Sequence, residues 1–117
     1  VLCGALRYSP KSTSDGTAAH LANFLNADFI NMTNVQGLFS ENPKKNPKAK
    51  FIPTISWRDF EKMALKIKYK AGQNFVLDQE AAVLIREHKI KAYILGSLKS
   101  LDNVLRNKKY IGTLIEG

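Results

Sequence analysis

Apolar residues follow two rhythms along this chain. Four short solid runs, "VLCGAL" (1–6), "DFINM" (28–32), "KAYIL" (91–95) and "GTLI" (112–115), are too brief for helices and read as buried strands. Between them the apolar positions recur at helical spacing. Ala18, Leu21, Ala22 and Leu25 share one face of a helix predicted to start at Ser14 or Asp15 and to end at Asn26. Trp57, Phe60, Ala64 and Ile67 form a second stripe, behind Ser56 and Asp59, which resemble a capping box with aspartate in place of the commoner glutamate. Asp78, Gln79 and Glu80 give an acidic first turn to a third helix, with Ala81, Leu84 and Ile85 inward. After Gly96, either Ser97 or Ser100 caps a fourth, using Leu101, Val104 and Leu105.

Punctuation separates these elements. Pro10 and a Ser/Thr cluster mark a loop after the first run, and Gly37 marks a turn after the second. Three of the four prolines lie in 40–53, "SENPKKNPKAKFIP", which reads as an exposed excursion, and Gly72 breaks "YKAGQNF". Strands alternating with helices predict an α/β fold, a three-layer α/β/α sandwich around a mainly parallel sheet, as a single unit over 1–117. Such sheets bind ligands beyond the carboxyl ends of their strands, beside helix N-termini. Polar loops at 7–15, 33–43 and 70–78 occupy such places.

Composition narrows the class. At 117 residues the chain suits one domain with a modest core. No apolar run approaches the length of a membrane span, and nothing reads as a signal peptide, so no membrane partner is expected. One cysteine, Cys3, leaves no internal disulfide or cysteine metal cluster and fits a reducing, cytoplasmic setting. The chain opens "VLCGALRY" without methionine, already inside a strand-like run, which suggests a processed start or the latter part of something longer. The net charge of +8 is uneven: 41–70 holds nine bases against three acids, while 1–40 is neutral. That block reads either as a solvated lysine-coated surface or as a field that attracts a polyanion.

Each polar loop carries two readings. "KSTSD" (11–15) offers hydroxyls, a carboxylate and free helix-start N–H groups, fit for a phosphate or a sugar hydroxyl, or simply an N-cap. "TNVQGLFSENP" (33–43) supplies polar groups, a glycine turn and Phe39, which either stacks on a base or joins the core. "KAGQNFVLD" (70–78) joins Lys70 and a glycine to Asp78 at a helix start, to orient phosphate-binding backbone or a metal, or merely to offset the dipole. Two dispersed histidines support neither a catalytic triad nor a zinc site, and no Walker-type glycine loop occurs. His20 reads as a surface residue and His88 as a helix C-terminal one. With no zinc finger, basic heptads or recognition helix, nucleic acid is not an expected partner.

In order and spacing these loops resemble the C-terminal half of UMP (uridylate) kinases of the amino-acid-kinase superfamily, nearest the archaeal type. The family's strand, proline loop and Thr/Ser-Asp helix start is matched by "VLCGALRYSPKSTSDGTAAHLA". Its T-N-V-D-G-V-Y followed by D-P-K is matched by "TNVQGLFSENPKKNP". Its A-G-x-x-x-x-x-D-x-x-A-A and R-x-x-K-I are matched by "AGQNFVLDQEAAVLIREHKI", and its G-T-L-I ending by "GTLIEG".

The resemblance implies transfer of a phosphoryl group from ATP to UMP, with Mg2+, by a full-length enzyme that assembles as a homo-oligomer, a hexamer in full-length relatives. It implies UMP contacts from Arg7, Lys11, Ser12, Thr13, Ser14 and Asp15. Thr33, Asn34, Gly37, Phe39 and Asn42 would face ATP, and Asp78 would sit at the phosphoryl-transfer region, with no protein residue assigned as a metal ligand. Gln36 and Asn42 stand where the family has aspartate, Phe39 where it has tyrosine, and Lys11 where it has glycine. The family's first strand, lysine and glycine-rich phosphate loops have no counterpart here, so this chain alone is expected not to turn over UMP. Other readings are an amino-acid-kinase fold with another acceptor, a carbamate, acyl-phosphate or isopentenyl phosphate kinase, and a non-catalytic nucleotide or anion binder.

Overall fold

A computed structural model describes residues 13–66 and 77–117. The expected strand 1–6, the loop residues Arg7, Lys11 and Ser12, and the segment containing Ile67, Lys70 and Gly72 lie outside the described residues.

The first helix, α1 (Ser14–Leu25), starts where the sequence places it. Thr13 caps it, its Oγ1 accepting the Gly16 N–H at 3.1 Å, and Asn26 closes it in the left-handed conformation that asparagine tolerates. A two-residue link leads to β1 (Phe29–Met32). Next come two-residue strands: β2 (Leu38–Phe39), β3 (Phe51–Ile52) and β4 (Thr54–Ile55). The α2 helix (Trp57–Lys66) follows, and after it α3 (Gln79–Glu87), capped by Asp78. Finally β5 (Ala92–Leu95), α4 (Leu98–Leu105), capped by Ser97, and β6 (Gly112–Ile115) complete the order.

The main sheet has the order β1-β5-β6-β4. Strands β1 and β5 run parallel, Phe29 opposite Ala92 and Met32 opposite Leu95, as do β4 and β6, whereas β5 and β6 are antiparallel. The expected mainly parallel α/β sheet is thus present, with one antiparallel join. On one face, Ala92, Ile94 and Ile115 meet Phe29 and the buried residues of α1, α2 and α3, with Phe60 and Ile85 at the centre. Tyr93 points to the other face, where its ring meets Tyr110 edge to face at 5.8 Å.

Three expectations are corrected. The inward side of α1 is Gly16, Ala19 and Ala22 rather than Ala18, Leu21, Ala22 and Leu25: Ala18 is exposed and Leu25 is 59% exposed. Small residues win this contact because α1 crosses α3 closely. A Cβ at Gly16 would stand 2.9 Å from the Glu80 carboxylate. The excursion 40–53 is exposed over most of its length, as expected, and the antiparallel β2–β3 pair, extended by Ser40 and Lys50, anchors it. The Ser56–Asp59 box is half formed: Ser56 Oγ accepts the Asp59 N–H at 3.1 Å, but the Asp59 carboxylate takes the Ser56 hydroxyl. On α4, Leu105 is exposed, while Leu101 and Val104 are half-buried. Trp57 does anchor α2, with its ring against the core and Nε1 donating to the Ile90 carbonyl at 2.8 Å.

Candidate functional site

Connectivity gathers the polar loops at one end of the sheet. Each of α1 and α3 runs back along the sheet and turns into the next strand, β1 and β5 respectively. Their N-termini therefore lie at the carboxyl ends of those parallel strands, where the 33–37 turn and Gly96 also lie. The N-terminus of α2 lies at the opposite end, because β4 runs against β5. A broad open cleft of about 750 Å³ at that opposite end, lined by Ser56, Trp57, Lys89, Lys91 and Glu116, is thus remote from these loops.

The two helix starts touch. Asp78 Oδ1 accepts the Ala81 N–H at 2.8 Å, and Asp78 lies close enough for its charge and backbone N–H to act on the carboxyl of Asp15 in the first turn of α1. Burial raises the Asp15 pKa, the Asp78 charge raises it further, and the Asp78 N–H partly offsets both. The second oxygen of Asp78, Oδ2, is buried and has no hydrogen-bond partner among the described residues. Asp15, Asp78 and Glu80 therefore form an acidic rim on two positive helix ends, with the Thr13 hydroxyl beside them.

The second patch is the turn after β1. Thr33 N–H continues the ladder by donating to the Leu95 carbonyl at 2.8 Å. The chain then crosses directly over Gly96, where a Cβ would lie 2.2 Å from the Val35 carbonyl oxygen. At Gly37 a Cβ would lie 2.7 Å from Thr113 Oγ1 and 2.9 Å from the Phe51 ring. Both glycines are required by close approach. Phe39 is half-buried, its ring edge to face with Phe51 at 5.4 Å. Asn42 is exposed and folds its own loop: Oδ1 accepts the Lys44 N–H at 3.0 Å, and its carbonyl accepts from Lys45 and Asn46.

Of the residues singled out in the sequence, the structure brings Thr13, Ser14, Asp15 and Asp78 to one patch and Thr33, Asn34, Gly37 and Phe39 to another at the same end. Asn42 lies further out on the 40–50 excursion. Glu80, Gly96 and Thr113 were not singled out as site residues. Gly96 showed only as strand punctuation, and Thr113 looked like any β-branched strand residue.

An α/β chain with its polar groups gathered beyond the carboxyl ends of parallel strands falls in the class that holds ligands there. The chain belongs to the amino acid kinase family, whose model matches residues 4–96. Within it the chain is similar to archaeal uridylate kinases: 40% identical over 110 residues to that of Pyrococcus abyssi and 39% over 111 residues to that of Methanocaldococcus jannaschii. Each match covers 92% of this chain and 48% of the relative. The crystal structure of the uridylate kinase from Archaeoglobus fulgidus superposes with a TM-score of 0.76 at 34% identity, again over 92% of this chain and 48% of that one. The chain thus spans about half the length of the curated relatives it matches. No helix among the described residues is long and apolar enough to cross a membrane.

Proposed function

We propose that this chain is the nucleotide-binding lobe, the C-terminal part, of a UMP kinase that transfers the γ-phosphoryl group of ATP to UMP, giving UDP for pyrimidine nucleotide synthesis. The observation that carries this reading is the junction of the α1 and α3 N-termini at Asp15 and Asp78, at the same end of the sheet as the glycine-tight 33–37 turn. Phosphoryl transfer asks little covalent chemistry of a protein. It asks for N–H donors, placed charges and in-line geometry, which two joined helix starts can offer.

In this reading Thr13, Ser14 and Asp15, with Arg7, Lys11 and Ser12, meet UMP. Thr33, Asn34 and Gly37 line the ATP side, Phe39 stacks beside the adenine, and Asn42 lies toward the ribose through its free amide. Asp78 caps the α3 N-terminus beside that of α1, and its carboxylate serves the phosphoryl-transfer region.

Magnesium fits this donor set as an ion carried by the nucleotide. Among the described residues no group of three or more His, Cys, Asp or Glu is arranged to hold a metal, and Mg2+ commonly takes one or two carboxylates plus substrate phosphates. Asp15 and Asp78 are the carboxylates that would lie nearest to it. When bound, the ion neutralises charge on the β- and γ-phosphates. The whole enzyme acts in the cytoplasm as a homo-oligomer, and the 117 residues alone bind nucleotide without turning over UMP.

Thermal-shift screening with ATP, UMP, UTP, Mg2+ and duplex DNA tests the reading. ATP with Mg2+ at a hundred times its Kd adds about 2.7 kcal/mol of stability. A rise in Tm with ATP and none with DNA is expected. No response to ATP, or a salt-sensitive response to DNA, overturns it.

A further inference from the structure

We propose that Thr113 is the positioning residue of the adenosine side of this site. The inference rests on the nucleotide-kinase reading and adds a residue which that reading leaves out.

Thr113 is fully buried at the start of β6, yet it is polar. Its Oγ1 donates to the Ile52 carbonyl at 2.6 Å and accepts the Leu38 N–H at 2.8 Å. One hydroxyl thus binds both strands of the β2–β3 arm, whose own ladder is short: two paired residues on each strand and the Ser40–Lys50 bonds beyond them. It also sits where any side chain on Gly37 would go, so the turn leaving β1 is pressed onto it. Phe39, beside the nucleotide base in the proposed site, follows Leu38 directly. The arm that carries the ring is therefore fixed to the sheet at an interior hydroxyl, 75 residues away in sequence. So short a two-stranded ladder is marginal by itself. Valine has nearly the shape of threonine but no hydroxyl, and would leave the buried Leu38 N–H and the half-buried Ile52 carbonyl without this partner.

The test compares Thr113→Val and Thr113→Ser in the full-length protein that carries this chain, by steady-state kinetics with ATP and UMP varied separately. Thr113→Val is expected to raise KM for ATP about tenfold, the two groups left without this partner being relieved when the arm moves off its place. KM for UMP stays within about twofold, since that contact lies on other elements, and Thr113→Ser restores the ATP value because it keeps the hydroxyl. Equal changes in both KM values, or a fall in kcat alone, overturn the proposal, because a merely structural hydroxyl would act so. If Thr113→Val does not fold, amide exchange on the wild type decides: Leu38 N–H as protected as the β1–β5 ladder supports the clamp, and exchange at loop rates overturns it. A wild type that binds no ATP refutes the nucleotide reading and takes the positioning role with it. The two failures are told apart, because Leu38 protection still reports the clamp.

Discussion

Replacing Gly96 with alanine places a methyl carbon where the 33–37 turn already runs. The new Cβ would lie 2.2 Å from the Val35 carbonyl oxygen, 2.8 Å from the Val35 carbonyl carbon and 3.0 Å from Gln36 Cα. Ordinary contact begins near 3.4 Å, so the two backbones must part by roughly 1 Å, and neither offers a flexible side chain to yield. The turn is held on one side by Thr33 N–H on Leu95 and on the other by Gly37 against Thr113. Overpacking of this kind costs about 1–3 kcal/mol, and the rigid neighbours place this case at the upper end. For a domain of this size that lowers Tm on the order of 10 °C. Differential scanning fluorimetry with and without ATP reads both consequences: a lower Tm for the free protein, and a smaller rise on adding ATP because the turn has moved. A Gly96→Ala variant with unchanged Tm and unchanged ATP response would refute the reasoning.

Asp15 carries a pH signature. Its folded pKa is raised by burial and by Asp78, so the folded state holds its proton more tightly than the unfolded state. Stability from this group is full below the unfolded pKa and is lost as pH rises through the raised folded value. Asp15→Asn should therefore gain stability over wild type as pH is raised from 4 to 7, measured by urea unfolding, while losing nucleotide affinity; equal stability differences at both pH values contradict the coupling. At Asp78 the cap and the proposed chemistry separate. Asp78→Ala should cost about 1 kcal/mol through the lost cap, whereas Asp78→Asn keeps the cap and its stability, and both abolish phosphoryl transfer in the full-length protein. Phe39→Ala should weaken ATP binding and loosen the arm by about 1 kcal/mol through loss of the ring pair with Phe51, and Phe39→Tyr, which adds the hydroxyl that the family resemblance implies at this place, should bind ATP at least as well as wild type.

Much of this was legible from local pattern. The runs 28–32, 91–95 and 112–115 are strands because solid apolar segments of that length suit a sheet covered by helices. Asp78 and Ser97 announce their helices because a capping side chain acts within three residues of its own position. What stayed hidden depends on distant partners. Two-residue strands such as β4 have no period to read, and the antiparallel direction of β6 is set by its neighbours. The inward face of α1 was misread because a close helix crossing favours Gly16 and Ala19 over larger apolar residues. At the site, the polar loops were visible as loops, but the meeting of Asp15 with Asp78 joins residues 63 positions apart. The Thr113 hydroxyl left no trace in a run that otherwise reads as plain strand.

The central claim is that these residues form the nucleotide-binding lobe of a UMP kinase whose acceptor side and phosphate cradle are completed by a further segment. Phosphoryl transfer measured side by side tests it most directly: ATP, Mg2+ and UMP are incubated with the 117-residue chain and with the full-length protein that carries it, and UDP is followed by 31P NMR. The account predicts UDP from the full-length protein and none from the chain alone, with ATP still bound by the chain. Turnover by the chain at a comparable rate, or a full-length protein that leaves UMP untouched, would contradict it.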